Sequence, residues 1–217
     1  MIAYLHGFAS GPDGTKVQFI KARLAALGTP LLAPELAPDF TRTTITSQLA
    51  IVEALLTEIP SVLIGSSLGG YLATLVATRY PERICGLVLL APAFHFANRW
   101  AARVGAEAMA RWRADGVMNV MHYARDREEP LAIGLLDDAQ GYPAEPDPAC
   151  PTLVFAGRHD DAVPLEVVEH FVRRRPTTRE LVVYDTGHDL IAPLESLTVR
   201  TIEFLRARGV MAGVGRA

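Results

Sequence analysis

A serine flanked by glycines gives the clearest chemical signal in the chain. Residues 65–70 read Gly-Ser-Ser-Leu-Gly-Gly and match the pattern G-x-S-x-G with Ser67 at its centre. A short apolar run, Ser61–Gly65, precedes the motif, and a run with helical spacing, Leu68–Arg79, follows it. A sharp strand-to-helix turn of this kind raises the serine hydroxyl above a sheet and leaves the next amide, that of Leu68, free at a helix N-terminus. The motif therefore predicts that Ser67 is a nucleophile; the alternative is a glycine-rich turn that serves packing alone.

A serine hydroxyl reacts only when a base removes its proton, and the base needs an acid to orient it. Among the six histidines, His188 follows the last predicted strand, so we expect it at the same edge of the sheet as Ser67. Asp160 and Asp161 follow the preceding strand, and both are candidates for the acid. The chain order serine, aspartate, histidine is the order expected for a triad built around a G-x-S-x-G turn.

The attack of serine on a carbonyl creates an oxyanion, which backbone amides can stabilise. The first predicted strand ends in Leu-His-Gly-Phe, and the amide of Phe8 would point into the crevice opposite that of Leu68. A phosphate-binding loop is the competing interpretation of this glycine-rich stretch, but Gly14-Thr15-Lys16 does not match G-K-[ST]. We therefore expect the amides of Phe8 and Leu68 to form an oxyanion hole, and we expect neither a metal nor a cofactor. His6 is expected to fix the loop through a hydrogen bond.

Six short apolar runs alternate with segments of helical spacing, which predicts an α/β fold with a mostly parallel sheet between two layers of helices. The predicted strands are Ile2–His6, Pro30–Ala33, Ser61–Gly65, Gly86–Leu90, Thr152–Phe155 and Glu180–Tyr184. The predicted helices are Lys16–Leu27, Ile45–Ile59, Leu68–Arg79, Leu165–Arg174 and Pro193–Arg208. With right-handed crossovers the expected strand order is 2-1-3-4-5-6. The switch point then lies between strands 1 and 3, where such sheets bind ligands and where the two glycine-rich loops meet.

The stretch of residues 94–149, between strands 4 and 5, is too long for a simple crossover. Its pattern predicts a helix over Ala97–Ala114 and a β-hairpin in which Val117–Tyr123 and Leu131–Leu135 flank a charged tip. We expect this insert to form a cap over the site; the alternative is an excursion without a function. The candidate substrate-binding side chains are the aromatic residues Phe94, Phe96 and Trp100.

The order and spacing of these motifs resemble those of the α/β-hydrolase superfamily. The resemblance rests on His6-Gly7-Phe8, Gly65 to Gly70, Gly157-x-x-Asp160-x-x-Val163-Pro164 and Gly187-His188. The short N-terminus and the run Gly-Ser-Ser-Leu-Gly-Gly-Tyr are most similar to small bacterial esterases of the YqiA type. The resemblance implies a three-layer fold, the roles given above for Ser67 and His188, and Asp160 rather than Asp161 as the acid.

Composition and charge exclude several other classes of protein. The chain has 217 residues and a net charge of −3, whereas nucleic-acid-binding proteins are usually basic. No apolar run reaches the length of a membrane span, and the N-terminus does not have the pattern of a signal peptide. We therefore expect one domain, residues 1–217, in a cytoplasmic protein whose partner is a small molecule. The tail after Arg208 is expected to fray.

The resemblance implies a hydrolase that forms an acyl-enzyme. Because the insert carries more acidic than basic residues, we expect a carboxylesterase that acts on small to medium uncharged esters. A thioesterase or a hydrolase of carbon–carbon bonds would use the same triad. A binding protein that retains the fold without catalysis is the remaining alternative.

Overall fold

The computed structural model describes residues 1–211. The strands are β1 (Ile2–Leu5), β2 (Ser61–Ser66), β3 (Ile84–Leu90), β4 (Val117–His122), β5 (Arg127–Ala132), β6 (Thr152–Gly157) and β7 (Arg179–Tyr184). The helices are α1 (Thr15–Ala25), α2 (Ile45–Glu53), α3 (Leu68–Arg79), α4 (Phe96–Val104), α5 (Ala106–Asp115), α6 (Gly134–Ala139), α7 (Leu165–Arg173) and α8 (Leu194–Ala207). Five strands form a parallel sheet in the order β1-β2-β3-β6-β7, whereas β4 and β5 form a separate antiparallel hairpin.

Each strand of the sheet contributes to two apolar cores, because successive side chains point to opposite faces. In β1, Ala3 and Leu5 pack with α2, α3, α7 and parts of the insert, whereas Ile2 and Tyr4 pack with α1 and α8. Strands that are buried on both faces have nearly continuous apolar sequences, which is why the sequence marks them clearly. The predicted α/β fold, with helices on both faces of a parallel sheet, is confirmed.

The predicted second strand, Pro30–Ala33, is reduced to a single bridge. The Leu32 amide donates to the Ile2 carbonyl at 3.1 Å, and the Leu32 carbonyl accepts from the Tyr4 amide at 2.7 Å. A proline stands on each side of this bridge, and because proline has no N–H to donate, the pairing does not extend. The predicted order is kept, with this segment outside β1, but the sheet has five strands rather than six.

The insert between β3 and β6 departs most from the prediction. Gly105, whose φ is 85°, breaks the predicted helix over Ala97–Ala114 into α4 and α5. The hairpin is present, but the expected charged tip lies partly within β5, and the expected strand Leu131–Leu135 runs from β5 into α6. Helical spacing prevails in α6 because three of its side chains are buried in the core, those of Leu135, Leu136 and Ala139.

Helix α2 is shorter than predicted. It ends at Glu53 instead of Ile59, and the next turns are closed by i→i+3 hydrogen bonds of 3.1 Å from the amides of Leu55 and Leu56. Such tighter turns commonly end a helix. Among residues 1–211, no helix combines the length and the apolar character needed to cross a membrane. The fraying predicted after Arg208 concerns mainly residues 212–217, which lie outside the described part of the chain.

Candidate active site

Ser67 lies at the turn between β2 and α3 in a backbone conformation that few non-glycine residues adopt. Its φ is 52° and its ψ is −116°, a strained geometry that persists only where the surroundings enforce it. A Cβ atom on Gly65 would lie 2.4 Å from the carbonyl oxygen of Gly69, and one on Gly69 would lie 2.0 Å from the carbonyl oxygen of Leu5. Helix α3 therefore starts directly against β1 and β2 and holds Ser67 at the carboxyl ends of the strands.

A chain of hydrogen bonds links Ser67, His188 and Asp160. The Nε2 atom of His188 lies 3.0 Å from Ser67 Oγ, and its Nδ1 atom lies 2.7 Å from Asp160 Oδ2. The second carboxylate oxygen, Oδ1, accepts from the amides of Ala162 at 2.9 Å and Val163 at 2.6 Å. An ionised carboxylate only accepts hydrogen bonds, so Nδ1 carries the imidazole proton and the lone pair of Nε2 is directed at the serine hydroxyl. The Asp160 side chain is only 1% exposed, which protects this arrangement from solvent.

The second aspartate and the other surface histidines have different neighbours. The side chain of Asp161 is 80% exposed, in contrast to that of Asp160. His159 pairs with Asp185 at 2.7 Å, and His170 pairs with Glu145 at 3.1 Å. The structure therefore brings one histidine, one aspartate and one serine together out of the several candidates in the sequence.

The amides of Phe8 and Leu68 have no hydrogen-bond acceptor within residues 1–211. Leu68 is the first residue of α3, so its amide is one of the donors that a helix N-terminus leaves unpaired. Phe8 belongs to the loop after β1, which His6 fixes: its Nε2 accepts from the Leu36 amide at 3.0 Å, and its Nδ1 lies 2.9 Å from the Gly7 carbonyl. Free amides on both sides of a serine are the donors that an oxyanion requires.

A cavity of about 640 Å³ opens over the Ser67 hydroxyl. Phe96 and Trp100 line this cavity, whereas the third expected substrate-binding residue, Phe94, does not. Phe94 is fully buried, and its ring centroid lies 4.5 Å from that of Phe171 in α7. The expectation for Phe94 is therefore wrong, because the end of β3 leads this side chain into the core. Residues 1–211 contain no cluster of three or more side chains arranged to hold a metal ion.

Helix α4 also places two arginines, Arg99 and Arg103, in the cavity. Neither was among the site residues expected from the sequence. Phe96, Arg99, Trp100 and Arg103 all line it, and their i, i+3, i+4, i+7 spacing, which puts them on one face of a helix, was the signal available in the sequence. Arg99 also donates to the Ala162 carbonyl, in the loop whose amides hold Asp160. Burial lowers the pKa of Arg99, and the negative charge of Asp160 opposes that shift.

Residues 1–205 match the model of a family described as Uncharacterised protein family (UPF0227). The chain belongs to this family. No curated protein matches the sequence significantly. The match covers the whole sheet, the insert and all three residues of the hydrogen-bonded chain, so these features lie within the region that defines the family.

Solved structures place the chain among proteins of the α/β-hydrolase fold. Alpha/beta hydrolase domain-containing protein 10 from mouse has a TM-score of 0.79 at 18% identity, over 95% of this chain and 89% of that one. Est1E from Butyrivibrio proteoclasticus, solved with ferulic acid bound, has a TM-score of 0.79 at 19% identity, over 95% and 88%. A monoacylglycerol lipase from Paleococcus ferrophilus has a TM-score of 0.72 at 14% identity, over 95% and 94%. The α/β-hydrolase fold expected from the sequence motifs is confirmed, and at these identities the likeness concerns the fold alone.

Proposed function

We propose that the protein is a serine hydrolase that cleaves carboxylic esters through an acyl-enzyme intermediate. One observation carries the proposal: the chain Asp160–His188–Ser67 is complete, with hydrogen bonds of 2.7 and 3.0 Å, at a strained strand-to-helix turn. Nucleophile, base and orienting acid within hydrogen-bond distance are the signature of an activated serine. The monoacylglycerol lipase named above has the same fold, which supports this reaction class.

In the proposed reaction each of these residues has a defined role in ester hydrolysis. His188 Nε2 accepts the Ser67 proton while Oγ attacks the ester carbonyl carbon, and the amides of Phe8 and Leu68 donate to the resulting oxyanion. Collapse of this intermediate breaks the bond to the alcohol oxygen, which takes the proton from His188. Water then attacks the acyl-serine with His188 again as the base. The bond between the acyl carbon and Ser67 Oγ breaks, Oγ takes the proton back from His188, and the carboxylic acid leaves. Asp160 stays ionised throughout and stabilises the imidazolium.

The insert has the role of a cap in this proposal. Helix α4 contributes Phe96 and Trp100 to the cavity wall, and β4 contributes Val120 and Met121. No residue of α4 is fully buried, so this helix lies against the site without being part of the core. Its apolar side chains exclude water from the ester, which strengthens the electrostatic interactions in the site.

The proposal is tested by labelling and by kinetics. A fluorophosphonate should modify Ser67, and Ser67→Ala should lose the label and lower kcat by several orders of magnitude while the fold is retained. Ser196→Ala, at an exposed serine of α8, should behave as the unmodified protein. A protein that takes no label and turns over no substrate would instead be a binding protein of this fold.

A panel of matched substrates identifies the bond that is cleaved. We expect 4-nitrophenyl esters of two to eight carbons to be hydrolysed faster than acyl thioesters of the same chain length. Faster turnover of the thioesters would assign the site to that class. Turnover of a β-diketone alone would assign it to cleavage of carbon–carbon bonds.

A further inference from the structure

A second cavity meets the catalytic serine beside the N-terminus of α1. It has a volume of about 310 Å³ and shares Phe8, Ser67, Tyr123 and His188 with the larger cavity. That volume corresponds to about ten water molecules, which is enough for a small polar group but not for a long acyl chain. Because an ester has two halves on either side of its carbonyl, two cavities that meet at one serine provide a separate place for each half.

The second cavity contains the N-terminus of α1, which lacks a cap. The amides of Thr15, Lys16 and Val17 have no hydrogen-bond acceptor among the described residues, and Gly14 has no side chain to cap them. All four residues line the cavity. Free amides at the start of a helix attract anions, because they point outward and carry the positive end of the helix dipole.

Lys16 adds a full positive charge to the same cavity. No carboxylate within residues 1–211 lies within 4.0 Å of its ammonium group, which donates instead to the main-chain carbonyl of Asp189 at 2.6 Å. The carboxylate of Asp189 is engaged in its own loop, where it accepts from the Ile191 amide at 3.1 Å. Burial lowers the pKa of Lys16, and the more distant negative charges of Asp189 and Asp160 oppose this shift. A partly buried ammonium group usually has an ion-pair partner, so its absence here indicates an anionic ligand.

Tyr4 is an independent indication of a missing partner. Its hydroxyl is buried and has no hydrogen-bond partner, although its side chain lines the cavity and is only 1% exposed. Burial raises the pKa of Tyr4, and the nearby Ser66 side chain partly offsets this without reaching hydrogen-bond geometry. The hydroxyl is therefore a protonated donor at neutral pH. An unpaired buried donor is unfavourable unless a ligand pairs with it.

From these three features we propose that the second cavity binds a carboxylate or phosphate group, so that the preferred substrate is an ester with an anionic group on one of its halves. This proposal rests on the ester hydrolysis proposed above. It changes the expectation from the net charge of the insert, which favoured an uncharged substrate, because the positive charge of the second cavity comes from α1. The apolar half then occupies the larger cavity beside Phe96 and Trp100.

Paired substrates test the preference. On the acyl side, 4-nitrophenyl hemiglutarate is compared with neutral 4-nitrophenyl valerate; on the alcohol side, 4-acetoxybenzoate is compared with 4-acetoxybenzamide, and 4-acetoxyphenyl phosphate provides the phosphate arm. We expect a higher kcat/KM for the anionic member of at least one pair, mainly through a lower KM. Equal kcat/KM values in every pair would overturn the proposal.

Variants of the chain's two lysines locate the effect. Lys16→Met should lower kcat/KM about tenfold for the preferred anionic ester, as expected for the loss of one charge-assisted hydrogen bond, and by a clearly smaller factor for the neutral ester. Lys16→Arg should keep most of the preference. Lys21→Met, an exposed lysine on the same helix, is the matched control. An equal loss on neutral and anionic esters would show that Lys16 only supports the His188 loop, and it would contradict the proposal.

A binding measurement separates this proposal from the catalytic one. Calorimetry with Ser67→Ala should detect glutarate or inorganic phosphate, and the additional changes Lys16→Met or Tyr4→Phe should weaken that binding. Tyr4→Phe should not lower the free energy of unfolding, because it removes a hydroxyl that has no partner. If no ester is hydrolysed but the anion binds in this pattern, the catalytic proposal fails and the anion site stands. If neutral esters are hydrolysed and no anion binds, the catalytic proposal stands and the anion site fails.

Discussion

Both carboxylate oxygen atoms of Asp160 accept hydrogen bonds, so this residue fixes a geometry as well as supplying a negative charge. Oδ1 accepts from two amides of its own loop, and only Oδ2 is left for His188. In the Asp160→Asn variant the side-chain oxygen would have to take the position that the two amides require. The side-chain nitrogen would then face Nδ1 of His188 and donate to it, which moves the imidazole proton to Nε2. Nε2 could no longer accept the Ser67 proton.

We therefore expect Asp160→Asn to lower kcat by about 10⁴-fold with little change in KM. The measurement is steady-state hydrolysis of a neutral ester. Asp161→Asn is the matched control, since this side chain is exposed, and it should retain activity within a few-fold. The opposite ranking would assign the acid to Asp161.

At this scale the sequence predicts which residue types meet, but it does not distinguish adjacent ones. Asp160 and Asp161 follow the same strand. In the sequence, only the motif spacing of the superfamily favours Asp160 over Asp161 as the acid, whereas the loop conformation shows it directly. For Phe94, the sequence suggests a position in the substrate pocket that the structure does not support. Its position next to a strand end resembles that of a pocket residue, yet its burial depends on Phe171, which lies in a distant part of the sequence.

The start of α3 depends on contacts between main-chain atoms rather than on side-chain packing. The glycine at 69 lies against the carbonyl groups of Leu5 and His6, so a methyl group there would meet backbone that cannot move aside easily. Overpacking against backbone costs about 3 kcal/mol. The same displacement would alter the strained conformation of Ser67.

Gly69→Ala should accordingly lower the free energy of unfolding by about 3 kcal/mol and abolish ester hydrolysis. Urea unfolding and kinetics on the same preparation give both values. Gly134→Ala is the matched change, because no atom lies within 4 Å of the position that its Cβ would occupy. This variant should be as stable as the unmodified protein or slightly more so, since alanine favours a helix. Equal losses in both variants would contradict the close-contact argument.

Elements of the core were predicted well and those of the insert poorly, for a physical reason. Helix α3 has the predicted bounds because a glycine turn precedes it and Pro81 follows soon after it. In the insert, α4 has no fully buried residue and β4 has one, so burial leaves a weak pattern in their sequences. The change from strand to helix after β5 is decided by tertiary burial of Leu135, which no local pattern reveals.

Across the whole molecule, one carboxylate fastens the end of the insert to the rest of the protein. Asp147 accepts two hydrogen bonds of 2.9 Å from the guanidinium group of Arg175. Its Oδ2 atom lies 3.2 Å from Nη2 of Arg174, and its Oδ1 atom accepts from Nη2 of Arg179 at 2.5 Å. The Arg179 side chain is fully buried over the ring of Phe171. Hydrogen bonds from Arg175 lower the pKa of Asp147 to about 2, although partial burial opposes this shift.

This shift predicts a dependence of stability on pH. The ionised carboxylate is favoured in the folded state, so its contribution is fully present above the ordinary aspartate pKa of about 3.9 and is lost as the pH falls through about 2. Because Asp147 is 31% exposed, we expect Asp147→Asn to cost about 2 kcal/mol at pH 7, less than a fully buried pair would.

Urea unfolding at several pH values checks this prediction. The difference in unfolding free energy between the unmodified protein and Asp147→Asn should decrease steadily from pH 4 towards pH 2. Asp185→Asn, which removes an exposed carboxylate paired with His159, should show a much smaller difference at every pH. A difference for Asp147→Asn that does not depend on pH would show that the interaction with the arginines is not the cause.

The single bridge outside β1 has a consequence for self-association. An open strand edge offers a row of donors and acceptors on which another chain can build a strand. Here the outward-facing amide of Tyr4 and carbonyl of Ile2 are already paired with Leu32. Pro30 and Pro34, two residues on either side of Leu32, cannot donate to β1, so this segment does not extend into a sixth strand with a long regular edge of its own. Replacing both prolines with threonine should therefore increase thioflavin T binding after incubation at high protein concentration. We therefore expect the two residues that shorten the sheet by one strand also to limit the growth of fibrils from this edge.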